Sequence, residues 1–275
     1  MTYQGVDTAA RITAAQAAKL RDEGVSFVGR YLVPADYGKA LTAQEIKALR
    51  EAGLAILLCW EIGGGDMAFG IQRGVYHGAL ARQLAEGFGV PAGTAIYFAA
   101  DYDVPDKDLI QCEQYIRGAQ TALGKYTAGI YGGEKVVEFL TNRGVTKAWQ
   151  CVAWTNKFLD TANVRQYAWQ GADESKAMAA KVGFAVDMDS CEDMRKAGLW
   201  MPYNEYVDGD GTIIENVKPK PQPWYQTTVE WAQKEGIVTE ARPTDYATRA
   251  EVMQMIRNYN RRFDPEDDYS IGTKG

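Results

Sequence analysis

Histidine is almost missing from this chain: 275 residues contain one, His77. Zinc hydrolases usually draw two or three ligands from histidine, and Ser/His/Asp or Cys/His chemistry needs an imidazole held against its nucleophile. His77 falls in RGVYHGALARQLAEGFG, an amphipathic helical pattern in which it reads as an ordinary polar residue. Zinc amidase and cysteine peptidase readings lose most of their ground. Cysteine is also sparse: Cys59, Cys112, Cys151 and Cys191 form no CxxC, and Cys59 and Cys151 sit in apolar strand-like runs, so all four read as reduced and structural. No apolar run approaches the ~18 residues of a membrane helix, so no membrane partner is expected. Basic blocks are absent too, and the net charge is -6. A nucleic-acid partner is not expected, because neutralising phosphates takes clustered Lys and Arg. The opening MTYQGVDTAA lacks the basic start and apolar core of a signal peptide, which suggests a protein made in a cytoplasm and, if it acts outside, released by other means.

What is present is a globular composition, 46% hydrophobic and 24% charged, with a β/α rhythm. Strand-like runs are read at 3 to 7, 27 to 32, 54 to 61, 94 to 102, 127 to 133, 148 to 154, 164 to 169 and 184 to 190. Helical patterns follow the first five, with Thr13 and Thr42 as N-caps, whereas the stretches after the sixth and seventh strands look short and irregular. Alternation of this kind argues a parallel sheet closed by crossover helices, an α/β (β/α)8 TIM-like barrel over residues 1–200. LWMPYNEYVDGDGTIIENVKPKPQP then breaks the pattern, and its alternating Lys and Pro mark 201–223 as an extended linker, with DGDG a plain turn. Residues 224–275 read as two amphipathic helices, the second opened by a Thr248/Glu251 capping box. So small a piece has little core of its own and should dock or associate with copies of itself, a possible homodimer contact.

A parallel barrel carries its reactive groups at the C-terminal ends of its strands. Asp7, Glu61, Asp101, Asp103, Asp187 and Asp189 fall there. Strand alternation puts Tyr97, Ala99, Asp101 and Asp103 on one inward face, with Phe98, Ala100 and Tyr102 outward. Likewise Asp187 and Asp189 share a face. Carboxylates two residues apart on one face raise one another's pKa, leaving a proton donor beside an ionised partner, the pair that glycoside cleavage requires. Glu61, beside Trp60 and facing Asp101, is a candidate acid. A hard cation is the competing use of such a cluster, although no metal or other cofactor is assigned. Tyr31, Trp60, Tyr97, Trp154 and Trp169, with Tyr131 and Tyr167, offer flat apolar faces near the strand ends, which together favour a saccharide groove.

The segments GVDTA, GRYL, LTAQEIKALREAGL, AIYFAADYD, AGIYGG and VDMDS resemble the glycoside-hydrolase-like family first catalogued as domain of unknown function 1906, a relative of the family 25 lysozymes of phage endolysins. The likeness runs from residue 1 to about 192. It implies a barrel acting on bacterial peptidoglycan, a lysozyme-like muramidase, with Asp7 ending strand one and an acidic pair ending strand four. Where the family 25 pattern has Asp-x-Glu with Glu as general acid, this chain has Asp101 and Asp103. Asp103 would then work in a shifted geometry, Glu61 would take the role, or the barrel would bind wall glycan without cutting it. Asp187 matches the last-strand acid, and Asp189 stands near where Asn is expected. VEWAQKEGIV followed by TRAEVMQMIRN resembles an S-layer-homology-like repeat, implying a wall-binding module and the layout of an endolysin from a bacteriophage.

Overall fold

The computed structural model of the chain describes residues 2–202. The linker from 203 on, the DGDG turn, the helical module with its capping box and S-layer-like resemblance, and any self-association through it lie outside the described residues.

Eight strands close into one barrel in chain order: β1 (Tyr3–Asp7), β2 (Val25–Tyr31), β3 (Ala55–Trp60), β4 (Ala95–Ala99), β5 (Thr127–Gly132), β6 (Ala148–Cys151), β7 (Val164–Ala168) and β8 (Asp187–Cys191). Six helices lie between them: α1 (Ala14–Asp22), α2 (Ala43–Glu51), α3 (Gly70–Gly87), α4 (Leu109–Leu123), α5 (Glu134–Thr141) and α6 (Asp173–Val182). Local chemistry explains the early helices. Thr13 accepts from the amide of Gln16, whose side chain answers in a capping box, and Thr42 accepts from the amide of Glu45.

Two features differ from the expected regular barrel. The stretch after β7 is helical, not irregular: α6 begins with Asp173 and Glu174, acids that suit a helix N-terminus, and the Ser175 hydroxyl donates to the Ala168 carbonyl at 3.2 Å. The second difference is strand direction. β8 runs antiparallel to both β1 and β7, with Asp7 opposite Asp187 and Gly5 opposite Asp189. The chain enters β8 from the end where the other strands finish, so Asp187 opens its strand at the mouth and Asp189 lies deeper.

Alternation sorts the strand side chains into two layers. Inside the barrel, Phe27, Leu57, Tyr97, Ala99, Trp149 and Val164 pack together; outside, Val28, Ile56, Leu58, Trp60, Ile96 and Phe98 meet the helices. Residues after β8 close the end opposite the mouth. Trp200 bonds Ile56 in both directions, at 2.8 and 2.9 Å, the Gly198 carbonyl accepts from the Ala95 amide at 2.8 Å, and Leu199 and Met201 join the inner layer. That plug supplies the floor above which the polar mouth is built.

Candidate active site

β1, β7 and β8 meet at one corner of the mouth. Asp7, Gln166 and Asp187 end, or begin, these adjacent strands with their side chains inward. Gln166 Nε2 donates to Asp7 Oδ2 at 2.8 Å and to Asp187 Oδ2 at 3.2 Å, and its Oε1 accepts from the Tyr131 hydroxyl at 3.1 Å. One buried amide thus fixes two carboxylates. Tyr131 is itself set by an edge contact with Trp149, centroids 4.6 Å apart.

Asp189 lies beneath them, wholly inaccessible. Its Oδ1 accepts from Trp149 Nε1 at 2.8 Å, whereas Oδ2 has no protein donor. Burial beside Asp7 favours the neutral form of this acid. Burial, with the charge of Asp7 second, raises the Asp189 pKa well above its ordinary value. Asp7 is pushed up to about 7, by burial and then by Asp187, against the hydrogen bond from Gln166. Burial also raises Asp187, and Asp101 adds to that effect. Near neutral pH this corner therefore holds fewer negative charges than carboxyl groups.

Across the mouth, Glu61 follows β3 and pairs with Lys39 Nζ at 2.7 Å; the same ammonium lies 4.2 Å from the centre of the Tyr31 ring. Lys39 is carried on a braced loop. Arg30, fully buried, pairs with Glu45 at 2.7 Å and donates to the carbonyls of Thr8 and Lys39, joining the loops after β1 and β2. Asp101 stands at the rim, its amide bonded to the Gly64 carbonyl at 3.0 Å. Partial burial raises its pKa, Glu61 raises it further, and Lys39 opposes.

The structure thus gathers Asp7, Glu61, Asp101, Asp187, Asp189 and Tyr31 at or below the mouth. Asp103 does not join them. β4 ends at Ala99, so Asp101 and Asp103 are not strand-face partners; Asp103 is exposed in the following loop and lines a groove with Trp154 and Glu134. The groups acting on Asp101 are Glu61 and Lys39.

Two expected platforms are corrected. Trp60 is 1% exposed and points outward, its ring centre 5.3 Å from that of His77 and 6.3 Å from that of Phe98, because its place on β3 is out of phase with Glu61. Tyr97 is fully buried towards the floor, its hydroxyl donating to the Ala197 carbonyl at 2.7 Å. Trp154 and Trp169 are 42% and 60% exposed. His77 lies between α3, α4 and β3, its Nδ1 2.6 Å from the Tyr115 hydroxyl, and burial lowers it to about 4. Among the described residues, no group of three or more His, Cys, Asp or Glu is arranged to hold a metal ion.

Sequence reasoning missed Gln166, Trp149 and Lys39, and named Tyr131 only as one of several strand-end aromatics. Alternation along β7 does put Gln166 inward, in phase with Val164, and an inward amide amid strand-end acids was a usable signal. Lys39 lies in a loop, where no periodicity reports direction.

Comparison with known proteins follows the same lines. The model of the Rv2525c-like, glycoside hydrolase-like domain matches residues 18–189. YbfG of Bacillus subtilis strain 168 is 34% identical over 167 residues, 53% of this chain and 22% of YbfG. Rv2525c of Mycobacterium tuberculosis, named as a candidate peptidoglycan hydrolase, is 29% identical over 113 residues, 39% of this chain and 47% of that protein. The matches thus span between about a fifth and a half of these relatives. The crystal structure of the Tat-secreted protein Rv2525c with L-tartrate has a TM-score of 0.62 at 23% identity, covering 72% of this chain and 98% of the other, a likeness of fold. With the family model spanning more than half of its length, all of it within the barrel, the chain belongs to the Rv2525c-like, glycoside hydrolase-like domain family.

Proposed function

We propose that the barrel is a peptidoglycan hydrolase of the muramidase type, cleaving the wall glycan by carboxylate acid/base chemistry. The observation that carries this reading is the mouth itself. Asp7 and Asp187 are held by one amide, with Asp7 at about 7, and Asp101 stands at the rim with its pKa raised. Glycoside cleavage needs a protonated acid at the leaving oxygen and a carboxylate near the developing oxocarbenium centre. In this reading Asp101, the accessible acid with a raised pKa, gives the proton. Asp187 and Asp7 stabilise positive charge or orient the substrate, and Glu61 with Lys39 shapes the opposite wall. The family, and the name carried by Rv2525c, support wall glycan as substrate.

A second reading, a barrel that holds glycan without turnover, is favoured by two observations: Glu61 is ion-paired, and Asp103 lies apart from the other acids. Release of reducing ends from purified Gram-positive peptidoglycan separates the two. Wild type should release them with or without a chelator, and Asp101→Asn and Asp187→Asn should each lower the rate about 100-fold or more, the usual scale of a lost acid or base. Retained wall binding with no release on several wall types would sink the hydrolase reading in favour of the binding one.

A further inference from the structure

Trp154 holds a backbone angle that its side chain disfavours. Its φ is +54°, and it is the non-glycine residue of positive φ among those described. A bulky residue there is strained, and such strain persists only where the surroundings over-determine it. Burial does not explain the choice, because 42% of the residue is exposed.

The surroundings do over-determine it. The amide of Glu134, at the start of α5, donates to the Trp154 carbonyl at 3.2 Å and to Thr155 Oγ1 at 3.1 Å. The Glu134 carboxylate accepts from the amides of Asn156 at 2.8 Å and Lys157 at 3.2 Å, bonds that hold its pKa below the usual range. Thr155 Oγ1 donates to the Cys151 carbonyl at 2.6 Å, and Gln150 Nε2 to the Lys157 carbonyl at 2.8 Å. Gly133 leaves the space, since a Cβ there would fall 2.9 Å from both the Cβ and the carbonyl oxygen of Trp154. A segment that only joined β6 to β7 would need none of this bracing.

The braced indole lines an open groove of about 570 Å³ with Asp103, Lys135 and Asn156. One flat apolar face ringed by polar side chains matches a sugar ring, which pairs an apolar face with equatorial hydroxyls. Nucleotides also stack on indole, but Asp103, Glu134 and Glu138 outnumber Lys135 here and would repel phosphate. The same acidity favours a neutral sugar over one bearing a carboxylate.

We propose that Trp154 is the platform of a glycan subsite separate from the acid corner, taking a neutral N-acetylglucosamine ring with Asp103, Lys135 and Asn156 as its polar walls. This rests on the glycan reading of the mouth. The test uses the full chain carrying Asp101→Asn, which removes the proposed proton donor so that the probe is not cut, and measures binding of the N-acetylglucosamine tetramer by calorimetry beside the melting temperature. Trp154→Gly should weaken binding about tenfold, equal to about 1.4 kcal/mol, yet melt no lower than its parent, since glycine accepts the positive φ freely. Trp154→Phe should keep most of the affinity, and Trp154→Leu should lose it, because a flat face and not apolar bulk is required. Unchanged binding by Trp154→Gly, or loss of binding together with a lower melting temperature in both Trp154→Gly and Trp154→Phe, overturns the subsite and leaves the glycan reading standing. No binding of the tetramer by the parent overturns both.

Discussion

Asp189 shows how much of the mouth is set by a residue no substrate touches. Its buried Oδ2 has no hydrogen-bond partner, and burial with the charge of Asp7 favours its neutral form. Asparagine keeps an oxygen for Trp149 and, like the neutral acid, carries no charge. Asp189→Asn should therefore hold stability within about 1 kcal/mol, whereas Asp189→Leu, which orphans the indole N–H, should cost about 1–3 kcal/mol; urea unfolding of both variants decides this. The pH dependence has a definite sign. Asp7 carries its proton to about pH 7 in the fold, against an ordinary value of 3.8. Between those values the native state binds more protons than the unfolded chain, so this group's contribution is present below pH 3.8 and is lost as pH rises to about 7. Asp7→Asn should flatten that decline and raise stability at pH 8 by up to about 4 kcal/mol, measured by denaturation at several pH values. An unchanged slope would mean that Asp7 is ionised in the fold. The acids themselves were legible because they end strand patterns. Their protonation was not, because it depends on Trp149 and Gln166 arriving from strands far away in the chain.

At the scale of elements, period-two alternation has no direction. It therefore gave the inward set of β8, Asp187 and Asp189, but not the strand's sense, which depends on where α6 delivers the chain. The same limit applies to Asp103: alternation extended past Ala99 assumes a strand that has already ended. Helix pairing was not read from the sequence. In α3 and α4, Gly74, Gly78 and Gly118 are spaced like core positions, yet their role is close approach. A Cβ at Gly78 would lie 2.5 Å from the Ala119 carbonyl oxygen, backbone that cannot swing aside. Helix propensity alone would make Gly78→Ala stabilising by up to ~1 kcal/mol. Overpacking should win here, giving a loss of about 1–3 kcal/mol in chemical denaturation; a gain in stability would mean that the two helices can separate without penalty.

Across the whole described barrel, the two ends divide the labour. The floor is apolar and hydrogen-bonded to strand starts, while the mouth collects acids that repel one another. Trp200, 1% exposed, is the largest side chain of the closing segment and packs in the outer layer beside that floor, its ring centre 4.9 Å from the Arg50 guanidinium carbon. Trp200→Ala should cost about 3–5 kcal/mol, but the loss belongs to the barrel's closure and not to its chemistry. Where the variant remains folded, its pH profile for glycan cleavage or binding should match wild type. Asp7→Asn should do the reverse, keeping or raising stability while changing the profile. Measuring unfolding and pH profile on both variants gives a crossed comparison. Were Trp200→Ala to shift the profile as Asp7→Asn does, floor and mouth would be mechanically coupled through the inner layer of Tyr97, Trp149 and Phe27, and the division between a stabilising end and a reactive end would not hold.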